Sequence, residues 1–224
     1  MTVDDLRRAG DLGSHDYLAT ELARARPEDA VLSEEAVDDQ TRLTADRVWI
    51  IDPLDGTREF GEEGRVDWAV HVALWERGEL TAGAVALPAQ NAVLSTAEPP
   101  PAPAPPAPRA ALRLVVSRSR PPEFVQRLAD ELGAELVPLG SAGAKSAAVI
   151  TGEVDAYVQS GGQYEWDSAA PVAVAMAAGL HTSRIDGSSL RYNSERPWMP
   201  DILICPVPLA GSLLDAISAV QRQQ

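Results

Sequence analysis

The chain has 224 residues, of which 45% are apolar and 23% are charged, and this composition predicts a globular protein with a sizeable core. There are 19 Lys and Arg residues against 33 Asp and Glu residues, so the net charge is −14. Such a charge opposes a broad surface for the phosphates of DNA or RNA, and we expect no nucleic-acid partner. An acidic protein can still bind a phosphate ester if its carboxylates gather divalent cations.

Cysteine usage and hydropathy give the expected compartment. The single cysteine, Cys205, cannot form an internal disulfide, so nothing argues for an oxidising environment. The first ten residues carry four charges and do not fit a signal peptide. The longest uncharged stretch before the proline cluster, 80–97, is broken by Pro88 and polar residues. We therefore expect no membrane partner and a cytoplasmic location.

A proline-rich segment divides the chain. Residues 99–108 read PPPAPAPPAP, a composition that favours extended polyproline geometry and predicts an exposed connector. A ligand for an SH3-type domain is the alternative interpretation. The division gives an antiparallel α+β half over 1–98 and an α/β half over 109–224.

Hydrophobic periodicity predicts the elements in chain order. In the first half we expect a helix over Tyr17–Arg26 and strands over Val48–Ile51, Trp68–Trp75, Leu80–Leu87 and Ala92–Thr96. In the second half we expect strands over Leu112–Val116, Glu135–Val137, Asp155–Val158 and Ile202–Ile204, and helices over Pro121–Leu132, Ala142–Ile150 and Ser168–Ala178. The fold class is therefore α+β, with the elements stacked in layers.

The strongest local feature is the sequence VWIIDPLDGT, residues 48–57, in which an apolar run ends in Asp52 and Asp55. Pro and Asp-Gly are ordinary turn residues, so a β-turn is the simpler interpretation. Two carboxylates at a partly buried strand end repel each other, however, unless a cation lies between them. Mg²⁺ accepts such carboxylates together with substrate phosphate oxygens.

Two further acidic elements have similar contexts. Glu34 and Glu35 follow the short apolar run Val31-Leu32, with a solvated acidic loop as the alternative interpretation. Asp167 precedes a helix of small residues, where an aspartate is most often an N-cap. Together with Asp52 and Asp55, these residues predict a multi-carboxylate metal site.

These residues carry a family resemblance. Glu34-Glu35, DPLDGT at 52–57 and WDSAA at 166–170 resemble the three signatures of the inositol-monophosphatase-like, Mg²⁺-dependent and lithium-sensitive phosphatases. The resemblance implies a layered α/β/α/β/α sandwich of the inositol monophosphatase and fructose-1,6-bisphosphatase type. The sequence TREF at 57–60 is similar to the CysQ group of 3'(2'),5'-bisphosphate nucleotidases, and GSAGAK at 140–145 and LRYN at 190–193 agree with it.

The resemblance also implies roles for individual residues. The metal ligands, for two or three Mg²⁺ ions, are Glu34, Asp52, the carbonyl group of Leu54, Asp55 and Asp167. Thr57 orients the attacking water with an acidic partner, which the family's spacing places at Asp11, and Glu34 belongs to the same catalytic group. The substrate contacts are Asp55, Gly56, Thr57, Arg58, Ser141 and Asp167. From the residues alone, a helix N-cap in Gly10-Asp11-Leu12 is the preferred interpretation of Asp11.

The implied activity is hydrolysis of the 3'-phosphate of 3'-phosphoadenosine 5'-phosphate to AMP, with Arg58 and the loop Gly140–Lys145 supplying contacts that an inositol phosphatase lacks. Arg58 is equally a salt-bridged surface residue or a contact to the second phosphate. An inositol or sugar phosphatase is one alternative, and a catalytically weak nucleotide- or phosphate-binding regulator is another. Family members carry a helical segment of a few dozen residues before the position of Asp11, whereas ten residues precede it here. We therefore expect exposed apolar surface there, which a second copy of the chain in a homodimer or a longer natural start would cover.

Overall fold

The computed structural model describes residues 2–103 and 111–222. The first of its two sheets is built from β1 (Ala30–Ser33), β2 (Arg47–Asp55), β3 (Ala69–Glu76), β4 (Glu79–Leu87) and β5 (Ala92–Ser95), which neighbour one another in chain order. Neighbouring strands are antiparallel except that β1 and β2 are parallel, so the expectation of a wholly antiparallel first half is wrong. As a result, the carboxyl ends of β1 and β2 lie at one edge of the sheet, which brings Glu34, directly after β1, to the same edge as Asp52 and Asp55 in the last part of β2.

The second sheet has the order β7-β6-β8-β10-β9. Its strands are β6 (Arg113–Ser117), β7 (Glu135–Leu139), β8 (Ala156–Tyr164), β9 (Leu180–Ser183) and β10 (Trp198–Pro206). Since β6, β7 and β8 are parallel, their carboxyl ends also share one edge. The segments after these three strands therefore face the same region of the molecule.

Helices cover both sheets and separate them. The long helix α1 (Val3–Ala25) and the single turn α2 (Thr57–Phe60) lie on the outer face of the first sheet. Between the sheets lie α4 (Ala142–Ile150) and α5 (Glu165–Ala177), while α3 (Glu123–Leu132) and α6 (Val207–Arg222) cover the far face of the second sheet. The expected α/β/α/β/α layering is confirmed.

The central helices fit between the sheets because their residues are small. In α4 all nine residues are buried, and five of the nine are alanine or glycine. Gly83 on β4 allows the closest approach of α5, since a Cβ at this position would lie 2.7 Å from the Cβ of Ala173. Both halves of the chain therefore contribute to one core between the sheets.

The first helix starts earlier than its periodicity predicts. It begins at Val3 and is capped by Thr2, whose hydroxyl accepts a hydrogen bond from the backbone of Asp5 while the Asp5 carboxylate accepts one from the backbone of Thr2. Asp11 lies inside this helix, so the N-cap interpretation of Asp11 is wrong. Gly10 is needed for packing, since a Cβ there would lie 2.6 Å from a ring carbon of Phe60.

The N-cap interpretation of Asp167 is also wrong. Helix α5 begins at Glu165, and Tyr164 is its N-cap residue. Asp167 is the third residue of the helix, and its carboxylate accepts a hydrogen bond of 2.6 Å from the backbone N–H of Tyr164. This reciprocal contact fixes the carboxylate at the carboxyl end of β8.

Some elements of the structure were not predicted, and the predicted connector can be compared with the structure only in part. Strand β9 and helix α6 were not predicted, although Ala210, Leu213, Ile217 and Val220 give α6 a buried face at helical spacing. Residues 104–108 of the predicted connector lie outside the described residues. The division at residues 98 and 109 stays a prediction.

Candidate active site

Three aspartates converge between the two sheets. One oxygen each of Asp52, Asp55 and Asp167 lies within 4.8 Å of the other two. Asp52 and Asp55 come from β2, whose pairing with β3 is irregular between these residues, and Asp167 comes from the first turn of α5. The irregularity turns both side chains of β2 towards α5, as an alternating strand would not.

The electrostatics of this cluster favour a cation. Burial, followed by the negative charge of Asp55, raises the pKa of Asp167 to about 7. Burial and the charges of Asp55, Glu34 and Asp167 raise the pKa of Asp52 well above its usual range. Because the donors are hard carboxylate oxygens and their mutual repulsion is uncompensated, the cluster fits a divalent cation such as Mg²⁺.

Glu34 lies beside the same cluster, at the end of β1. Its carboxyl group lies within electrostatic range of Asp55 and Asp11 and next to Asp52. Although Glu34 retains exposed surface, partial desolvation of the carboxyl group and the neighbouring charges raise its pKa to about 7. Four acidic side chains therefore surround one small volume.

Asp11 and Thr57 meet at the outer side of the cluster. The Oγ1 atom of Thr57 lies 3.1 Å from Oδ1 of Asp11 and 3.0 Å from the carbonyl oxygen of Leu54. The Leu54 carbonyl lies between the two aspartates of β2, in a segment where the N–H of Leu54 donates to Asp52. The structure thus brings together Asp11, Thr57 and Leu54, which the family spacing associates.

The loop after β7 fixes Asp55 from the second half of the chain. The Ser141 hydroxyl donates to Oδ2 of Asp55 at 2.5 Å, and the backbone N–H of Gly143 donates to the same oxygen at 2.6 Å. Ser141 has φ 48° and ψ 134°, a conformation that L-residues rarely adopt. Its strained backbone is therefore associated with a contact to a candidate metal ligand.

The same loop is held from behind by two acidic residues. Asp67 accepts a hydrogen bond of 2.6 Å from the N–H of Gly140 and pairs with Arg65. Glu59 is buried in α2, accepts a hydrogen bond of 2.6 Å from Arg118, and lies so close to Gly140 that a Cβ there would overlap it. A larger residue than glycine does not fit at position 140.

Two candidate substrate contacts differ in exposure. Arg58 is exposed, and its carbonyl group accepts a hydrogen bond from Arg7. Lys145 is only 6% exposed, and its ammonium group donates to the carbonyl groups of Gly140 and Ser141. Burial lowers the pKa of Lys145. In this conformation the ammonium of Lys145 binds its own loop.

The sequence analysis assigned no role to His71. Its ring is fully buried on β3, with Nε2 at 3.4 Å from Oδ2 of Asp55 and Nδ1 at 3.1 Å from the carbonyl oxygen of Trp166. Burial lowers its pKa. The alternation of β3, which turns Ala69, His71 and Ala73 towards the core, was the signal that could have found it.

A cavity of about 590 Å³ lies at the carboxyl ends of β6 and β8. Its lining includes Ser117, Arg120, Gln159, Ser160, Gly161 and Gly162. The guanidinium group of Arg120 makes no hydrogen bond or ion pair with any other described residue. Glu123, Phe124 and Arg127 of α3 also line it, and β8 continues from Gly162 to Tyr164, whose N–H donates to Asp167.

None of the helices within residues 2–103 and 111–222 has the length and apolarity needed to cross a membrane.

The fold and the site define a class of protein: two five-stranded sheets enclosing central helices, with carboxylates from strand ends and a helix start gathered for a cation. The sequence profile of the inositol monophosphatase family matches residues 2–221. The chain belongs to this family, and the expected family is confirmed.

Individual relatives agree with this assignment. A Mycobacterium bovis protein named 3'-phosphoadenosine 5'-phosphate phosphatase is 53% identical, over 97% of this chain and 84% of its own length. The Escherichia coli 3'(2'),5'-bisphosphate nucleotidase CysQ is 29% identical, over 85% of this chain and 81% of its own length.

Among solved structures, a 2'AMP-bound inositol monophosphatase II of Staphylococcus aureus superposes with a TM-score of 0.78. The match covers 98% of this chain and 90% of that chain at 20% identity. This likeness shows the fold.

Proposed function

We propose that this protein is a Mg²⁺-dependent phosphatase that removes the 3'-phosphate of 3'-phosphoadenosine 5'-phosphate, leaving AMP. The observation that carries the proposal is the convergence of Asp52, Asp55 and Asp167, whose oxygens lie within 4.8 Å of one another. The names of the relatives at 53% and 29% identity support the substrate.

The proposed ligands for two or three Mg²⁺ ions are Glu34, Asp52, the carbonyl group of Leu54, Asp55 and Asp167. When bound, the cations supply Lewis acidity to the phosphate oxygens and acidify a coordinated water. The carboxylates of the chain fix where this charge is placed. The raised pKa values of Asp52 and Asp167 support the assignment, because these groups accept negative charge only at an electrostatic cost that a cation offsets.

Asp11 and Thr57 are proposed to position the attacking water. When the Thr57 hydroxyl donates its proton to Asp11, its oxygen lone pairs can accept a hydrogen bond from a water molecule. Burial raises the pKa of Asp11, so this carboxylate holds a proton more readily than an exposed aspartate. The chain needs no nucleophilic side chain for this reaction.

The reacting phosphate is proposed to bind against Gly56 and Thr57, with Ser141, Asp55 and Asp167 around it and Arg58 at the exposed side. Because Arg58 directly follows Thr57 in α2, this proposal replaces the expectation that Arg58 contacts the second phosphate. Gly56 has φ 87°, and a Cβ there would lie 3.0 Å from Ser141. The glycine therefore keeps the backbone close to the cluster and leaves room for the anion.

The cavity at the carboxyl ends of β6 and β8 suits a substrate larger than a simple phosphate ester. It opens from the same edge of the second sheet as Ser141 and Asp167. Arg120, at the end of β6, offers a guanidinium group without a partner among the described residues, which suits the second phosphate of a nucleoside bisphosphate. We propose that this cavity binds the nucleoside and its 5'-phosphate.

The test is phosphate release from three substrates, each with Mg²⁺ and with chelator: 3'-phosphoadenosine 5'-phosphate, inositol 1-phosphate and fructose 1,6-bisphosphate. We expect the highest kcat/KM for the bisphosphate nucleotide and loss of activity in chelator. A higher kcat/KM for either of the other substrates moves the protein to the sugar or inositol phosphatases. Nucleotide binding without turnover favours a regulator. A homodimer also stays a prediction, which sedimentation of the purified chain tests.

A further inference from the structure

His71 is a buried polar residue to which the proposed mechanism gives no role. It lies on the core-facing side of β3, where its neighbours at the same face, Ala69 and Ala73, are small and apolar. In the pairing of β2 with β3 it is directly opposite Asp52. A fully buried imidazole among alanines is costly unless its nitrogens have partners.

The contacts of the ring join two elements that carry candidate metal ligands. Nδ1 lies 3.1 Å from the carbonyl oxygen of Trp166, and since a carbonyl only accepts, Nδ1 is the donor. Trp166 immediately precedes Asp167 in α5. On the opposite side of the ring, Nε2 lies 3.4 Å from Oδ2 of Asp55 on β2.

The start of α4 closes the third side of the ring. The N–H of Gly143 donates to Oδ2 of Asp55 at 2.6 Å, and a Cβ at Gly143 would overlap Nε2 of His71. Ser141 donates to the same oxygen at 2.5 Å. Oδ2 of Asp55 therefore accepts two hydrogen bonds from the protein, whereas Oδ1 receives no hydrogen bond from any described residue.

The geometry points to His71 as a positioning residue: its ring is a spacer that fixes the Asp55 carboxylate relative to the Asp167 carboxylate and so sets the affinity of the site for a divalent cation. The inference rests on the proposed metal site. The ring is not a ligand itself, because the group of oxygens within 4.8 Å comprises Asp52, Asp55 and Asp167 and does not include a nitrogen of His71. Residues behind metal ligands typically contribute a factor of about 10–100 in metal affinity.

Three variants separate the two contacts of the ring. His71→Asn places an amide nitrogen near the position of Nδ1 and keeps the donor to Trp166, whereas His71→Gln extends its amide towards the position of Nε2 and Asp55. His71→Ala removes both contacts. His181→Ala is the matched control, since His181 lies on β9 and hydrogen-bonds Ser183.

The measurement is Mg²⁺ binding to the substrate-free protein by titration calorimetry, together with kcat and KM at saturating Mg²⁺. We expect His71→Ala to raise the Kd for Mg²⁺ about 10–100-fold, with KM for the nucleotide unchanged at saturating Mg²⁺. The hydrogen bond from Nδ1 to Trp166 is the only one that the ring makes within the described residues, whereas Nε2 only touches Asp55. His71→Asn, which keeps that hydrogen bond, should therefore recover most of the affinity, and His71→Gln little of it. His181→Ala should bind Mg²⁺ like the wild type.

Unchanged Mg²⁺ affinity in folded His71→Ala overturns the inference. If that variant does not fold, equal affinities of the Asn and Gln variants overturn it instead. Failure of the proposed function is a separate result, since wild-type protein that neither binds Mg²⁺ nor needs it for turnover refutes the metal site itself. Gly143→Ala gives an independent check: it should weaken Mg²⁺ binding in the wild type and weaken it less in the His71→Ala background, where the overlapping ring is gone.

Discussion

The hydroxyl group of Thr57 lies 3.1 Å from the carboxylate of Asp11, and this contact joins the single turn α2 to the long helix α1. The two residues are 46 positions apart in the chain. Their contact depends on Gly10, where α1 passes so close to Phe60 that no side chain fits. A surface helix and a strand-end turn thus combine to hold one hydroxyl group beside the carboxylate cluster.

The first prediction concerns this pair. Thr57→Ala and Asp11→Asn should each lower kcat by about 10²-fold or more, with little change in KM, because both residues act on the water in the transition state. Steady-state kinetics of the single and double variants check this. The kcat of the double variant should be little lower than that of the slower single variant. If the fold-decrease in kcat of the double variant equals the product of the two single fold-decreases, the two residues do not share a role.

The second prediction concerns the cation. Asp55→Asn should abolish Mg²⁺-dependent turnover while the protein stays folded, because an amide removes the charge that the cation requires and keeps nearly the same shape. Asp46→Asn, on the exposed surface beside Arg77, is the matched control and should keep full activity. Circular dichroism verifies the fold. Wild-type turnover by Asp55→Asn, or by the wild type in chelator, refutes the metal mechanism. From the family resemblance we also expect lithium to inhibit.

Most strands were predictable because their apolar residues alternate or run continuously. Helix α4 was predicted with its observed bounds, Ala142–Ile150, and α3 was displaced by two residues at its start. The start of α1 was lost because Gly10 and Gly13 resemble a helix boundary. Only the packing of Phe60 against Gly10 explains why a glycine lies inside the helix.

Contacts between residues far apart in the chain could not be predicted from the sequence. Glu34, Asp52 and Asp55 were found because they follow apolar runs, Asp167 because it precedes a helix of small residues, and the family spacing selected Asp11. His71 and Asp67 have no such local signature, since their partners Trp166 and Gly140 are 95 and 73 residues away. The cavity beside Arg120 likewise depends on the parallel order of β6, β7 and β8, which periodicity does not determine.

The third prediction concerns pH and the metal-free protein. Folding raises the pKa of Asp167 from 3.8 to about 7, so the folded state binds more protons than the unfolded state over this interval. The contribution of Asp167 to the free energy of unfolding is therefore largest at low pH and is lost as the pH rises towards 7. Metal-free Asp167→Asn should consequently be more stable than metal-free wild type at a pH of about 7.5, and this difference should be clearly smaller at about 5.

Urea denaturation in chelator measures this difference. The comparison of the two proteins is needed because burial lowers the pKa values of His71 and His181, and these groups act in the opposite direction over the same pH range. Mg²⁺ should raise the wild-type denaturation midpoint at the higher pH and have little effect on Asp167→Asn. Equal stability of the two metal-free proteins at both pH values contradicts the prediction.

The fourth prediction concerns the strained backbone of Ser141. Ser141→Ala and Ser141→Gly both remove the hydrogen bond to Asp55, but only glycine adopts φ 48° without strain. The free energy of unfolding of the glycine variant should therefore exceed that of the alanine variant by about 1–3 kcal/mol. Ser212, inside α6, is the control, since glycine there should be less stable than alanine by about 1 kcal/mol. If the alanine variant is more stable than the glycine variant at position 141 as well as at position 212, the backbone of Ser141 is not strained.

The last prediction concerns the second phosphate of the substrate. Arg120 lines the cavity at the end of β6, whereas Arg58 follows the Gly56-Thr57 turn, so the two arginines should affect different phosphates. Arg120→Ala should raise KM for 3'-phosphoadenosine 5'-phosphate about 10–100-fold, since a hydrogen bond between charged groups contributes about 1.5–3 kcal/mol. It should leave KM for 3'-AMP unchanged, because 3'-AMP lacks the 5'-phosphate. Arg58→Ala should raise KM for both substrates alike. Arg196→Ala, an exposed control, should change KM for neither. If Arg120→Ala raises KM for 3'-AMP as much as KM for the bisphosphate, the cavity does not bind the 5'-phosphate.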